Sequence, residues 1–129
     1  MDSEENIFGK IILFCAEWCV HSNKMLPEWQ KFEEYAKTNF IKLEIKKINY
    51  DTDQHKIYKN ILAFPTIMLF QDNQEILYDG NRSMKSFIDF INMNGYEQFL
   101  QTIEKQKEQN KQNNNVNDED QEIIINIDI

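Results

Sequence analysis

An α/β domain, with a mixed sheet at its centre and helices packed against it, is predicted by three observations. An apolar run, Ile11-Ile12-Leu13-Phe14, passes directly into a stripe of Met25, Leu26, Trp29, Phe32 and Ala36, whose spacing is near 3.6. A second apolar run, Thr66-Ile67-Met68-Leu69-Phe70, is followed by the turn Gln71-Asp72-Asn73-Gln74 and a short partner, Glu75 to Tyr78. Strand and helix patterns alternate along the chain, which implies a right-handed βαβ unit followed by a ββα unit.

In order along the chain, residues 1–9 leave room for about one helical turn. Residues 10–15 are apolar throughout, as a strand buried on both faces must be. The spacing predicts a helix over 20–38, with Pro27 expected to kink it by removing one hydrogen bond. Lys42 to Asn49 reads as a strand, with Leu43, Ile45 and Ile48 partly obeying period two. Asp51 or Thr52 can cap a following helix through Ile57, Tyr58 and Leu62. Met84, Phe87, Ile88 and Ile91 form the inward stripe of a later helix, which Gly95 breaks. Tyr96, Phe99, Leu100 and Ile103 repeat the stripe.

From about Lys105 the composition turns to Gln, Asn, Lys and Glu, so the sequence divides into a domain, 1–104, and an acidic, Asn-rich tail, 105–129. Residues 110–117 are low in complexity and are expected to be disordered. The end of the chain, Glu122-Ile123-Ile124-Ile125-Asn126-Ile127-Asp128-Ile129, is strongly β-prone; it is expected to dock on a sheet edge or a protein partner, the alternative being a tail prone to aggregate.

Bulk properties exclude several function classes. The chain has 129 residues, enough for one domain with a core of its own. A net charge of −8 argues against non-specific binding to nucleic acid or to an anionic membrane surface. No apolar stretch approaches the roughly 20 residues of a membrane span. The acidic start, Met1-Asp2-Ser3-Glu4-Glu5-Asn6, lacks a signal-peptide pattern, and the end lacks an ER-retention tetrapeptide. A cytoplasmic location is expected, or the endoplasmic reticulum if the chain is a fragment of something longer. Two cysteines are too few for a disulfide framework or a cysteine-based zinc site, and neither metal nor cofactor is expected.

The chemistry centres on Cys19. It stands where a strand ends and a helix begins, so unpaired N–H groups and the positive end of the helix dipole favour its thiolate. Ser22, three residues on, faces the same side and can donate a hydrogen bond to that thiolate. His21, when protonated, would favour it by charge; the plain alternative is a solvated histidine. His55 reads as surface. Cys15 reads as a buried core thiol, and a Cys15–Cys19 disulfide is disfavoured.

Trp18-Cys19-Val20-His21-Ser22 resembles the Trp-Cys-x-x-Cys site of the thioredoxin superfamily, and is most similar to its protein disulfide isomerase-type domains. The resemblance runs through Lys24-Met25-Leu26-Pro27, Phe64-Pro65-Thr66 and Tyr78-Asp79-Gly80-Asn81-Arg82, over roughly residues 10–95. It implies a thioredoxin-like fold, here without the usual first strand. It implies a cis-proline at Pro65, with Trp18, Phe64, Pro65 and Thr66 beside a client strand. It implies that Arg82 can tune a cysteine's pKa, with a surface arginine as the alternative. Two departures agree with each other. The second cysteine is Ser22, and the buried acid that serves it is replaced by Leu13. The resemblance therefore implies a monothiol CxxS site that exchanges disulfides with protein thiols or glutathione. The alternative is a non-catalytic client-binding module. Asn81-Arg82-Ser83 spells a glycosylation acceptor, which is discounted without a secretion signal.

Overall fold

The computed structural model describes residues 6–52, 61 and 63–118, with side chains described as far as residue 109. The sequence-predicted helix through Ile57, Tyr58 and Leu62, together with His55, lies outside the described residues, as does the Ile-rich end of the chain. Four strands, β1 (Gly9–Cys15), β2 (Leu43–Asn49), β3 (Thr66–Gln71) and β4 (Gln74–Leu77), form one sheet in the order β2-β1-β3-β4. β1 runs parallel to β2 and antiparallel to β3, and β3 pairs antiparallel with β4. The sheet is therefore mixed, and β1 is the earliest strand among the described residues.

β1 is buried at every position but Lys10. On one face Ile12 and Phe14 pack with Ile48 and Met68. The alternation of a strand places Ile11, Leu13 and Cys15 on the other face. Helix α1 (Val20–Asn39) buries Ser22, Met25, Trp29, Phe32 and Ala36, which recur at intervals of three and four. It continues unbroken through Pro27. Its aromatic face meets α2 (Met84–Met93): Trp29 and Phe32 contact Phe87 with ring centroids 5.6 and 5.8 Å apart. These edge-on contacts are favoured by ring quadrupoles. Tyr96 closes this region, its ring 4.8 Å from Phe40 and its hydroxyl accepting the Lys42 N–H at 2.9 Å.

Two turns use special backbone. Asp72, in the β3–β4 hairpin, takes φ 50°, a region that short polar side chains tolerate. Gly95 takes φ 95°, which a side chain would oppose, and so separates α2 from α3 (Tyr96–Asp118). α3 extends beyond the stripe that predicts it. It runs through 105–118 and so includes 110–117, where low complexity predicts disorder. The reason is intrinsic: Glu104-Lys105-Gln106-Lys107-Glu108-Gln109 are all good helix formers, and low hydropathy excludes burial rather than helix. The chain divides into two compact units, Met1–Tyr96 and Glu97–Ile129. No helix among the described residues is long and apolar enough to cross a membrane.

Candidate functional site

β1 delivers the chain to a short connection, and α1 starts at its far side. Cys19 is the N-cap of α1, with φ −94° and ψ 116°, and is 9% exposed. Its main-chain N–H is bonded back to the Ala16 carbonyl at 3.1 Å, which forms a tight turn before the helix. The Cys19 side chain makes no cap hydrogen bond, and its thiol stands at the end of the helix where unpaired N–H groups and the positive end of the dipole lie.

Those donors hold the thiol below its ordinary value of 9.0. The Ser22 main-chain N–H is the largest cause, followed, in the same direction, by the Ser22 hydroxyl, the His21 N–H and the Arg82 charge, while burial opposes them. One contact works for the thiol form instead. The Cys19 S–H donates to the Phe64 carbonyl at 3.4 Å, and a hydrogen bond made by the neutral form disfavours ionisation.

Ser22 is fully buried. Its Oγ accepts the Ala16 N–H at 3.3 Å, which leaves its own hydrogen to donate to Cys19. The residue at the second position of the motif thus ties the turn to the helix and supports the thiolate. The His21 main-chain N–H favours the Cys19 thiolate, and its side chain is exposed.

Trp18 is 65% exposed and meets Phe64 edge-on at 5.8 Å. Phe64 is held from the other side by Tyr50 at 5.0 Å, and it packs on the Ile12–Phe14–Ile48–Met68 cluster. The Phe64–Pro65 peptide is cis, and the Thr66 hydroxyl donates to the Ala63 carbonyl at 2.7 Å. Arg82 is exposed and lines a cleft of about 100 Å³ with Met25, Pro65, Ile67, Tyr78, Asp79 and Gly80. Its positive charge favours the Cys19 thiolate, as the smallest of the causes that lower that thiol's pKa. Leu13, at the position of the missing acid, is fully buried.

Cys15 is 4% exposed, and its S–H donates to the Ile48 carbonyl at 3.7 Å. It belongs to the sheet interior, as its apolar surroundings in sequence imply.

Two supporting residues escape the sequence reading. Asp51, read there as a helix cap, accepts the Glu17 N–H at 2.7 Å and so fixes the turn from the β2 side. Its own N–H is bonded to the Asn49 side chain at 2.9 Å. Glu28 accepts the Met84 N–H at 2.8 Å and joins α1 to the start of α2. Neither contact has a local sequence signature, since the partners lie 34 and 56 residues apart.

Residues 4–93 match the family model described as Thioredoxin. The chain belongs to the thioredoxin family. Among curated proteins, this thioredoxin domain is 33% identical over 98 residues to a protein disulfide-isomerase of Schizosaccharomyces pombe, covering 71% of this chain and 26% of that one. It is 31% identical over 88 residues to a thioredoxin domain-containing protein of Acanthamoeba polyphaga mimivirus, covering 64% of this chain and 25% of that one. Among solved structures it superposes on human ERp44 form I with a TM-score of 0.62 at 22% identity, over 71% of this chain and 26% of that one. That likeness concerns the fold. The thioredoxin domain spans about a quarter of the curated relatives named here. Membership places the chain in a thiol–disulfide exchange family of thioredoxin and protein disulfide isomerase-type domains.

Proposed function

We propose that this domain carries out thiol–disulfide exchange through Cys19 alone. The observation that carries the reading is the place of Cys19, at the N-cap of α1 with the buried Ser22 three residues on, where a dithiol site would place its second cysteine; the Ser22 N–H and hydroxyl and the His21 N–H favour its thiolate there. The Cys19 thiolate attacks one sulfur of a client disulfide or of oxidised glutathione. The Cys19–S bond forms as the S–S bond breaks, and the second sulfur leaves as a thiolate. No net oxidation or reduction occurs. Ser22 has no thiol with which to expel the partner, so an external thiol must release the mixed disulfide. Trp18, Phe64, Pro65 and Thr66 form the wall along which the client's chain lies, and the Phe64 carbonyl, released when Cys19 ionises, becomes available to a client N–H.

The test is intact-mass spectrometry after incubation with oxidised glutathione. A single adduct that requires Cys19 and persists until a thiol is added is the expected result. Ser22→Cys should shed the adduct unaided, through attack by the new thiol. An adduct that forms equally in Cys19→Ser would contradict the reading.

A second reading, a client-binding module without exchange, draws on the exposed Trp18 and Val20, at 65% and 63%. It predicts a client complex that survives Cys19→Ser with unchanged affinity, which the first does not.

A further inference from the structure

Glu28 follows Pro27 on α1, and its carboxylate leaves its own helix. Oε1 accepts the N–H of Met84, the first residue of α2, at 2.8 Å. Oε2 accepts from Lys31 at 3.2 Å, which holds the side chain in place. α2 already has a local cap: the Ser83 side chain accepts the Ser86 N–H at 3.2 Å. That cap reaches the third N–H of the helix and leaves the first for Glu28. A carboxylate there also faces the positive end of the helix dipole. The half-buried Glu28 therefore supplies from α1 what the α2 sequence, with no acid in its first turn, lacks.

Arg82 lies two residues before this anchor. The segment that carries it is fastened on its other side by the Tyr78 N–H to the Ile67 carbonyl, at 2.9 Å, and by the Tyr78 hydroxyl to the Asn81 carbonyl. Residues 79–82 are exposed between these fastenings. Arg82 shares its cleft with Met25 of α1 and with Pro65, whose neighbour Phe64 accepts the Cys19 S–H.

We propose that Glu28 is a positioning residue for the thiol site: by clamping the first turn of α2 to α1, it holds Arg82 where its charge acts on Cys19. This rests on the reading of Cys19 as the nucleophile. Glu28 is itself held below the ordinary carboxylate value of 4.5, first by the Met84 N–H and then by Lys31. The clamp is thus charged throughout the range in which a thiol titrates.

The experiment follows the alkylation rate of Cys19, resolved by peptide mass, against pH. It compares the wild type with Glu28→Ala, Arg82→Ala and the double variant. Glu28→Ala and Arg82→Ala should each move the profile to higher pH, with about a twofold loss of rate below the midpoint, the size of one screened surface charge. The double variant should match Arg82→Ala, because the two act through one path. Met84→Pro gives a second route. Proline suits the first position of a helix and the residue before it is already extended (φ −122°, ψ 154°), so the change removes the N–H that Glu28 accepts, together with the half-buried Met84 side chain, for which Met84→Ala is the control. Met84→Pro should reproduce the Glu28→Ala shift. A Glu28→Ala shift that persists undiminished in the Arg82→Ala background would overturn the proposal. So would a lower Tm with the Cys19 profile unmoved, which would make Glu28 a helix cap and nothing more. A wild-type profile centred at 9.0 or above would instead remove the nucleophile reading on which the proposal rests, so the two failures are distinguishable.

Discussion

Cys15 and Cys19 are four residues apart and have opposite fates. Cys15 ends a central strand, its thiol turned toward a main-chain carbonyl of β2 inside the sheet. Cys19 stands at the N-cap of a helix, where main-chain N–H groups favour its thiolate. Both are nearly enclosed, at 4% and 9% exposure, so accessible area alone does not separate them. The difference lies in the backbone. A strand interior presents groups already paired across the sheet, whereas a helix start presents donors with no partner of their own. One turn of chain, 16–18, converts the first environment into the second, and it is braced by Ser22 from the helix and Asp51 from β2.

The comparison breaks most visibly on substitution. Cys19→Ser should abolish the glutathione adduct and Cys15→Ser should leave it, as read by intact mass. A reversal of that pair would show that the sheet thiol is the reactive one.

The two tryptophans sharpen it in terms of stability. Trp29, fully buried between α1 and α2, should cost about 3–5 kcal/mol as Trp29→Ala in urea unfolding. Trp18→Ala should stay within about 0.5 kcal/mol and weaken client binding instead.

Ser22→Ala comes next in size. It removes a donor from Cys19 and leaves the buried Ala16 N–H without its hydroxyl, at a cost of about 1–3 kcal/mol. Its alkylation profile should also move to higher pH. Unchanged stability would mean that the turn does not depend on Ser22.

The smallest effect is the linkage of Cys19 to folding. Its folded pKa lies below the ordinary 9.0. The stabilisation is therefore complete above pH 9.0 and is lost as pH falls through the folded value. The Tm difference between wild type and Cys19→Ala should widen toward alkaline pH. A difference that narrowed would have the wrong sign.

Much of this arrangement is legible in the sequence. The α1 stripe, the β1 run and the break at Gly95 follow from periodicity and from one glycine, because each is set by neighbours along the chain. The Cys19–Ser22 pair is legible for the same reason: three residues at a helix start place both groups on one side. What escapes is what depends on packing. Glu28 looks like a surface acid, since its partner Met84 is 56 residues away. Asp51 looks like a helix cap, since nothing nearby in sequence reveals Glu17. His21 carries a motif's side chain but contributes its amide, and no residue type signals that. The helix through 105–118 hides behind a polar composition, which reports burial better than backbone conformation.

The most direct test of the account is the pH midpoint for alkylation of Cys19, measured by peptide mass with Cys15 as the internal comparison. The account predicts a midpoint below 9.0, rising in Ser22→Ala, with Cys15 unreactive until the protein unfolds. A Cys19 midpoint at or above 9.0, unmoved by Ser22→Ala, would contradict it.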